Sequence, residues 1–342
     1  MISPESKPKA TPVPPTAMLR DVARAAGVST ASASRALAQS GAVSAELRAR
    51  VQAAAERLHY VPNLAARTLA ARRSGLLGII LGTLADPLVA AVATACERRL
   101  GEAGYGVMIA STSGLPEENS RAARALLARG AQALVFVEPS ETAAVERLMA
   151  GCAVPWVAVA EPSPTAGPIA LSLGRRRGAA LAALYLLGLG HRRFGVIAQA
   201  DGVIAEAVRQ PVEASAGDLL PSAILGSAEK LDAAQAAMRR LLDQNHPPTA
   251  VICSSDALAL AATRECAVRG IAVPQSVSVV GFGDAEFARR AYPALSTVRV
   301  AAAEFGVRTA ESLLAIVEGH EASQLEAGLK LVVRESTGPA PS

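Results

Sequence analysis

Thr30, Ala31, Ser34 and Arg35 are the residues whose types and spacing most clearly suit a chemical task. At about 100° per residue they share one arc of a helix, while Ser32, Ala33, Ala36 and Leu37 share the other. Hydroxyls, a methyl group and a guanidinium side by side suit hydrogen bonding to base edges, and an arginine can grip guanine through two bonds. Ser29 is placed to cap that helix by accepting a backbone N–H. An ordinary helical hairpin has the same pattern, so context must decide between the two. Elsewhere the sequence offers little chemistry. Cys96, Cys152, Cys253 and Cys266 form no C-x-x-C pair and have no histidine at ligand spacing, which predicts reduced, mostly buried thiols and no metal site. His59, His191, His246 and His320 are equally isolated, no nucleophile set can be drawn, and Gly281-Phe-Gly283 lacks the third glycine of a dinucleotide fingerprint. No catalytic residue and no cofactor are expected.

The elements that must position the arginine can be read on either side of it. Leu19, Val22, Ala23 and Ala26 recur at i, i+3, i+4 and i+7, and Gly27 supplies a turn, so a short helix precedes the second one. Two helices across a tight turn describe a helix-turn-helix, whose second helix reads the major groove. After a polar loop over 38–43, Ser44 caps a third helix with a stripe of Leu47, Val51, Ala54 and Leu58, closing a small and marginal domain. Tyr60-Val-Pro-Asn63 breaks the pattern, and Asn63 to Leu69 restarts it briefly. So short a helix falls below the roughly 12–15 residues that hold in water alone, so it must fold against something.

Charge divides unevenly along the chain. Residues 18–73 carry nine arginines against Asp21, Glu46 and Glu56, a balance of +6, whereas the rest brings the total down to +4. A basic head on a mildly acidic body fits phosphate contact at one end, although charge runs are often only solvated faces. Residues 1–17 hold five prolines and no apolar core of a secretory signal, and are expected to be a disordered tail on a cytoplasmic protein. The chain is 51% hydrophobic, yet no run of about 18 apolar residues escapes a charge or breaker, so no membrane span is expected.

From Leu76 apolar runs alternate with helical stretches. Strands are predicted at 76–81, 106–110, 133–137 and 156–160, with helices near 86–103, 117–129 and 141–150, the signature of a doubly wound parallel sheet. A second round opens at 169–173 and continues at 194–197, 223–225, 250–253 and 277–280. Two such α/β lobes suggest a clamshell that closes on a small ligand at the carboxyl ends of its strands.

The ordered set Asp21-Val-Ala, Ala26-Gly-Val-Ser29, Ser34-Arg35, Tyr60-x-Pro-Asn63 and Ala66-Arg67-x-Leu69 resembles the LacI/GalR family of bacterial repressors. The resemblance continues through Leu186 to His191, Val273 to Phe282, Leu295-Ser-Thr-Val298 and Val332-Val-Arg-Glu-Ser336. It implies a DNA-contacting set of Ser29, Thr30, Ala31, Ser34 and Arg35, and a hinge helix supplying Asn63, Ala66, Arg67 and Leu69, with Leu69 wedged into the minor groove. It also implies a body of periplasmic-binding-protein type. Met18 stands where a capping threonine is common, a departure worth up to about 1 kcal/mol of helix stability. Ala38 replaces a common phosphate-touching asparagine.

The candidate effector contacts are Asp86, Arg175, Arg176, Ser255, Asp256 and Asp284; the resemblance implies cleft positions for Asp86, Ser255 and Asp256, while Arg175, Arg176 and Asp284 stand where the chain departs from the family. Gly174-Arg175 replaces an acidic residue and an asparagine, the ligand-gripping arginine near 205–208 is missing, and Gly283 replaces an aspartate. Three readings stay open. Arg175, Arg176 and Arg177 recognise a sugar acid or phosphate, helped by a Gly-Phe-Gly-Asp string resembling gluconate-type members; or they are a solvated helix start, disfavoured by the helix dipole; or effector control is lost. Asp86, Ser255 and Asp256 have capping as an equally simple role.

The expectation is therefore a disordered tail (1–17), a helix-turn-helix domain (18–61), a hinge and linker (62–74), a core (75–338) and a tail (339–342). Within the core the first lobe is drawn at about 75–170 plus 299–325, the second at about 171–298 plus 326–338. The expected partners are an operator duplex bound as a homodimer and a small carbohydrate-like effector, with repression as the outcome. A periplasmic ligand-binding protein and a cytosolic α/β enzyme with an appended helical domain are the rivals from other classes.

Overall fold

The computed structural model describes residues 17–37, 43–61, 74–138, 142–152, 154–161, 170–199, 202–220, 223–225, 230–321 and 324–341. The chain divides into two compact units, one up to Ser74 and one from Gly75 onward.

The first unit holds α1 (Leu19–Ala25), α2 (Thr30–Leu37) and α3 (Ala45–Arg57). Their meeting faces are made of small residues: Val22, Ala23, Ala26, Ala33, Ala36, Val51, Ala54 and Ala55 are buried, with Leu19, Leu37, Leu47, Leu58 and Tyr60 packed around them. Alanine-lined faces let three short helices approach closely, which is how so small a unit closes a core. Met18 offers no side-chain cap, and the structure shows what compensates: the Asp21 carboxylate reaches back to accept the Met18 backbone N–H at 3.0 Å. That is the return half of a capping box. Ser44 caps α3 as its sequence position implies, accepting the Leu47 N–H at 3.3 Å.

The second unit holds two sheets. In the first, β1 (Leu76–Leu81), β2 (Gly106–Ser111), β3 (Ala131–Val137), β4 (Trp156–Val159), β5 (Ala170–Ser172) and β12 (Leu325–Glu326) lie in the order β12-β5-β4-β3-β1-β2, all parallel. The central strands β1 and β3 are buried almost throughout, as near-continuous apolar runs in a doubly covered sheet must be. The second sheet takes β6 (Arg193–Gln199), β7 (Asp218–Leu219), β9 (Ala250–Cys253), β10 (Ser278–Gly283), β11 (Ser296–Val300) and β13 (Leu329–Val332) in the order β13-β11-β10-β9-β6-β7, with β8 (Ala223–Leu225) paired to β6. Only β13 runs antiparallel among these pairings.

One expectation is corrected here. The segment 169–173 does not open the second lobe; β5 pairs in register with β4 and with β12 of the first sheet. A three-residue apolar strand carries no signal of which sheet it will join, because only the hydrogen-bonded register decides that. The chain passes to the second sheet just after Leu173, into α7 (Arg175–Gly188), and returns after β11 into α11 (Ala302–Val317). It crosses again between β12 and β13.

Helices α4 (Pro87–Glu102), α5 (Pro116–Ala128) and α6 (Thr142–Ala150) accompany the first sheet, and α8 (Val203–Ala214), α9 (Lys230–Leu242) and α10 (Asp256–Val268) the second. Within the tail drawn at 339–342, the Ala340 N–H donates to the Leu189 carbonyl at 2.9 Å. His191 helps hold that end, with Nε2 on the Gly338 carbonyl and Nδ1 on the Thr249 hydroxyl, both at 3.0 Å. Burial lowers its pKa, so it serves as a neutral structural link.

Candidate functional site

In the first unit, α2 presents the face that its wheel predicts. Thr30, Ala31 and Arg35 are exposed and Ser34 is half-buried, while Ala33 and Ala36 are buried against α1 and α3. Ser29 caps the helix, its Oγ accepting the Ser32 N–H at 3.1 Å. The Arg35 Nε donates back to the Ala31 carbonyl at 3.3 Å, which draws the guanidinium along the exposed arc. Asn63, Ala66, Arg67 and Leu69 lie outside the described residues, as do Ala38 and residues 1–16 of the expected tail at 1–17.

In the second unit the chemistry gathers at the carboxyl ends of the strands, where open α/β sheets place their ligands. Asp86 follows β1, Glu138 follows β3, Glu161 follows β4, Ser254 to Asp256 follow β9 and Asp284 follows β10. Arg175 lies at their centre. Its Nε and Nη2 meet the two Glu138 oxygens at 2.5 and 2.9 Å, its Nη1 donates to the Ser254 carbonyl at 2.8 Å, and its guanidinium lies 5.1 Å from the Phe282 ring centre. Burial opposes its charge, but Glu138 outweighs that, with Asp86 and Glu161 adding, and the pKa is raised.

Glu138 and Glu161 are the site residues that sequence reasoning missed. Glu161 also answers how three arginines can stand at a helix start. Gly174, the residue before α7, has φ 71° and no side chain to cap with. Glu161 caps in its place, one oxygen accepting the Arg175 N–H at 2.8 Å and the other facing the Arg176 N–H at 3.5 Å. A carboxylate there offsets both the dipole and the arginines. Arg176 is exposed, and Arg177 turns to Glu326 at 3.1 Å and the Ala327 carbonyl at 2.8 Å. The signal available in sequence was position alone, an acid directly after an apolar strand.

The other expected cleft residues have structural partners of their own. Asp86 caps α4 through the Leu88 N–H at 2.9 Å, and Ser255 caps α10 through the Leu258 N–H at 3.3 Å. Asp256 is buried, accepting from Thr297 Oγ1 at 2.5 Å and the Ala285 N–H at 2.6 Å. Burial raises its pKa against those two hydrogen bonds. At the missing-arginine position Val208 is fully buried, and Arg209 pairs with Glu206 and Glu213 along α8.

Asp284 is clamped by Arg334 Nη2 and Arg299 Nε, each at 2.6 Å. Burial would raise its pKa, but the two arginines prevail and hold it below the ordinary aspartate value. A depressed carboxylate adds stability above its unfolded pKa and loses it as pH falls through the folded one. Asp284→Asn should therefore lower stability by about 2–3 kcal/mol at pH 7, with the deficit shrinking below about pH 4. Urea unfolding at both pH values checks this; an equal deficit at each would refute it.

Among the described residues no His, Cys, Asp or Glu cluster could hold a metal, and no helix is long and apolar enough to cross a membrane. Burial pushes the thiols of Cys96 and Cys266 up to about 12, which makes them poor nucleophiles.

A helix-turn-helix head with an exposed hydroxyl-and-arginine arc, carried on a two-sheet body with its polar groups at the strand ends, defines a DNA-binding transcription regulator rather than an enzyme. Residues 18–63 match the model for bacterial regulatory proteins of the lacI family, and residues 183–337 match the periplasmic binding protein-like domain. The chain belongs to the lacI family. It is 31% identical to the HTH-type transcriptional regulator GntR of Pseudomonas aeruginosa over 93% of this chain and 95% of the relative. Among solved structures it is similar to the Lac repressor dimer bound to operator and the anti-inducer ONPF, with TM-score 0.83 and 25% identity over 95% of this chain and 100% of that one. It is also similar to the CelR–cellobiose complex, with TM-score 0.70 and 25% identity over 94% and 99% of the two chains.

Proposed function

We propose that this regulator represses transcription by binding an imperfectly palindromic operator as a homodimer, and that a small neutral carbohydrate modulates that binding. The exposed arc of α2 carries the reading: Thr30, Ala31 and Arg35 face outward from a core that fixes the helix. Ser29 and Ser34 flank the same arc, and Asn63, Ala66, Arg67 and Leu69 are assigned to a hinge on their sequence positions. One such head reads a half-site, so a symmetric pair is required for a full one. The Lac repressor relative is itself a dimer on operator.

A neutral sugar fits better than a sugar acid or phosphate because the central cation, Arg175, already has a carboxylate on it. Asp86 and Ser255 offer hydrogen-bonding oxygens at the strand ends, Asp256 and Asp284 stand beside them with their carboxylates already bonded, and Arg176 remains exposed. The CelR relative was solved with cellobiose.

Selection of bound duplexes from a random library by the full chain should return an inverted repeat, with affinity falling as salt rises. An asymmetric site footprinted by a monomer would overturn the proposal. Neutral sugars, sugar acids and sugar phosphates tested against that operator separate the effector classes, a tenfold shift being about 1.4 kcal/mol of coupling.

A further inference from the structure

We propose that Arg175 and Glu138 form a built-in clasp that holds the two lobes in the operator-binding arrangement without a small molecule, so that an effector of this protein releases DNA rather than recruits the protein to it. The inference rests on the regulator reading above and concerns how that cleft is controlled.

Glu138 follows β3 of the first sheet, and Arg175 opens α7, which packs on the second. Their fork-to-fork pairing therefore spans the cleft, and the third guanidinium nitrogen is tied to the Ser254 carbonyl at the end of β9. The side chains are 16% and 27% exposed, so this is no loose surface bridge. Bidentate arginine–carboxylate pairs are among the stronger and more directional contacts a protein makes. The Phe282 ring backs the guanidinium from the second lobe.

The surroundings agree with a cleft closed by its own side chains. A Cβ placed on Gly283 of the second sheet would stand 3.8 Å from the Leu88 Cβ of the first lobe. Behind Arg175, a cavity bounded by Gly178, Ala179, Ile252 and Phe282 measures about 10 Å³, room for about one water. Two-lobed receptors close by hinge motion around a ligand that touches both halves; here a residue from each lobe supplies those contacts. A clasp built into the folded chain sets its default arrangement. The operator-bound Lac repressor dimer is similar to this chain over 95% of its length, which ties the clasped default to DNA binding. A small molecule entering the site has to displace the clasp, and it shifts the equilibrium only by favouring the other arrangement.

The test uses the full chain, purified free of small molecules, with the selected operator duplex and with X-ray scattering of the protein alone. Wild type should bind operator with nothing added. Arg175→Ala and Glu138→Gln should each weaken binding at least tenfold and expand the scattering profile. Arg209→Ala, which removes exposed pairs on α8, should change neither. If Arg175→Ala does not fold, Arg175→Lys replaces it, since lysine keeps the charge but loses the fork. Single variants that bind and scatter like wild type would overturn the clasp, as would a wild type that binds operator only after a sugar is added. A wild type that binds no duplex under any condition would sink the regulator reading instead, and scattering of the variants would still decide whether the pair holds the lobes together.

Discussion

Gly306→Val is expected to destabilise the body by about 3 kcal/mol, which for a unit of this size lowers its melting temperature by roughly 6–12 °C. Gly306 lies on the buried face of α11, where that helix crosses α4. A Cβ there would collide with the Val92 carbonyl oxygen and stand 2.8 Å from the Ala95 Cβ and 3.2 Å from the Cys96 nitrogen. Two of these obstacles are backbone atoms of a packed helix, so no side-chain rotation relieves them. The helices must separate, and the contacts made by Phe305, Ala310 and Leu313 weaken with them. Gly101, in α4 with nothing near its would-be Cβ, provides the opposite case. Gly101→Ala should stabilise by about 0.5–1 kcal/mol through helix propensity alone. Thermal unfolding of the two full-length variants checks the pair, and a Gly306→Val protein melting with wild type would show that the helix crossing is not as tight as described.

Arg35→Ala should weaken binding to the selected operator by about 1–3 kcal/mol per half-site, roughly 5- to 150-fold, and relax the preference at a single base position. The guanidinium stands on the exposed arc of α2, where its Nε contacts the Ala31 carbonyl. Arg35→Lys separates charge from geometry. A lysine keeps attraction to phosphate but has no planar fork, so affinity should return in part while base preference does not. Repeating the selection with each variant reads out both quantities. A uniform loss across all sequences, with preference intact, would reassign Arg35 to the phosphate backbone.

Much of this protein was legible in its residues, for reasons that differ by element. The helix-turn-helix could be read because burial in a small helical unit follows a 3.6-residue period, and Val22, Ala23, Ala33, Ala36, Val51 and Ala54 obey it. The parallel body could be read because strands buried on both faces must be continuous apolar runs, as Leu76–Leu81 and Ala250–Cys253 are. Helix caps at Ser44, Asp86 and Ser255 were local too, since a cap involves residues two or three apart.

What the tertiary structure alone decided involves partners distant in the chain. Whether Ala170–Ser172 joined the first or second sheet depended on register with Val159 and Leu325, which no local pattern encodes. The fate of Arg175 was decided 37 residues upstream, by the carboxylate of Glu138, and 79 residues downstream, by the carbonyl of Ser254. From the sequence a run of three arginines could be an anion receptor, a solvated helix start or a relic. A charge has no directional preference of its own along the chain, so its role is fixed only when folding brings it an opposite charge and removes water from both.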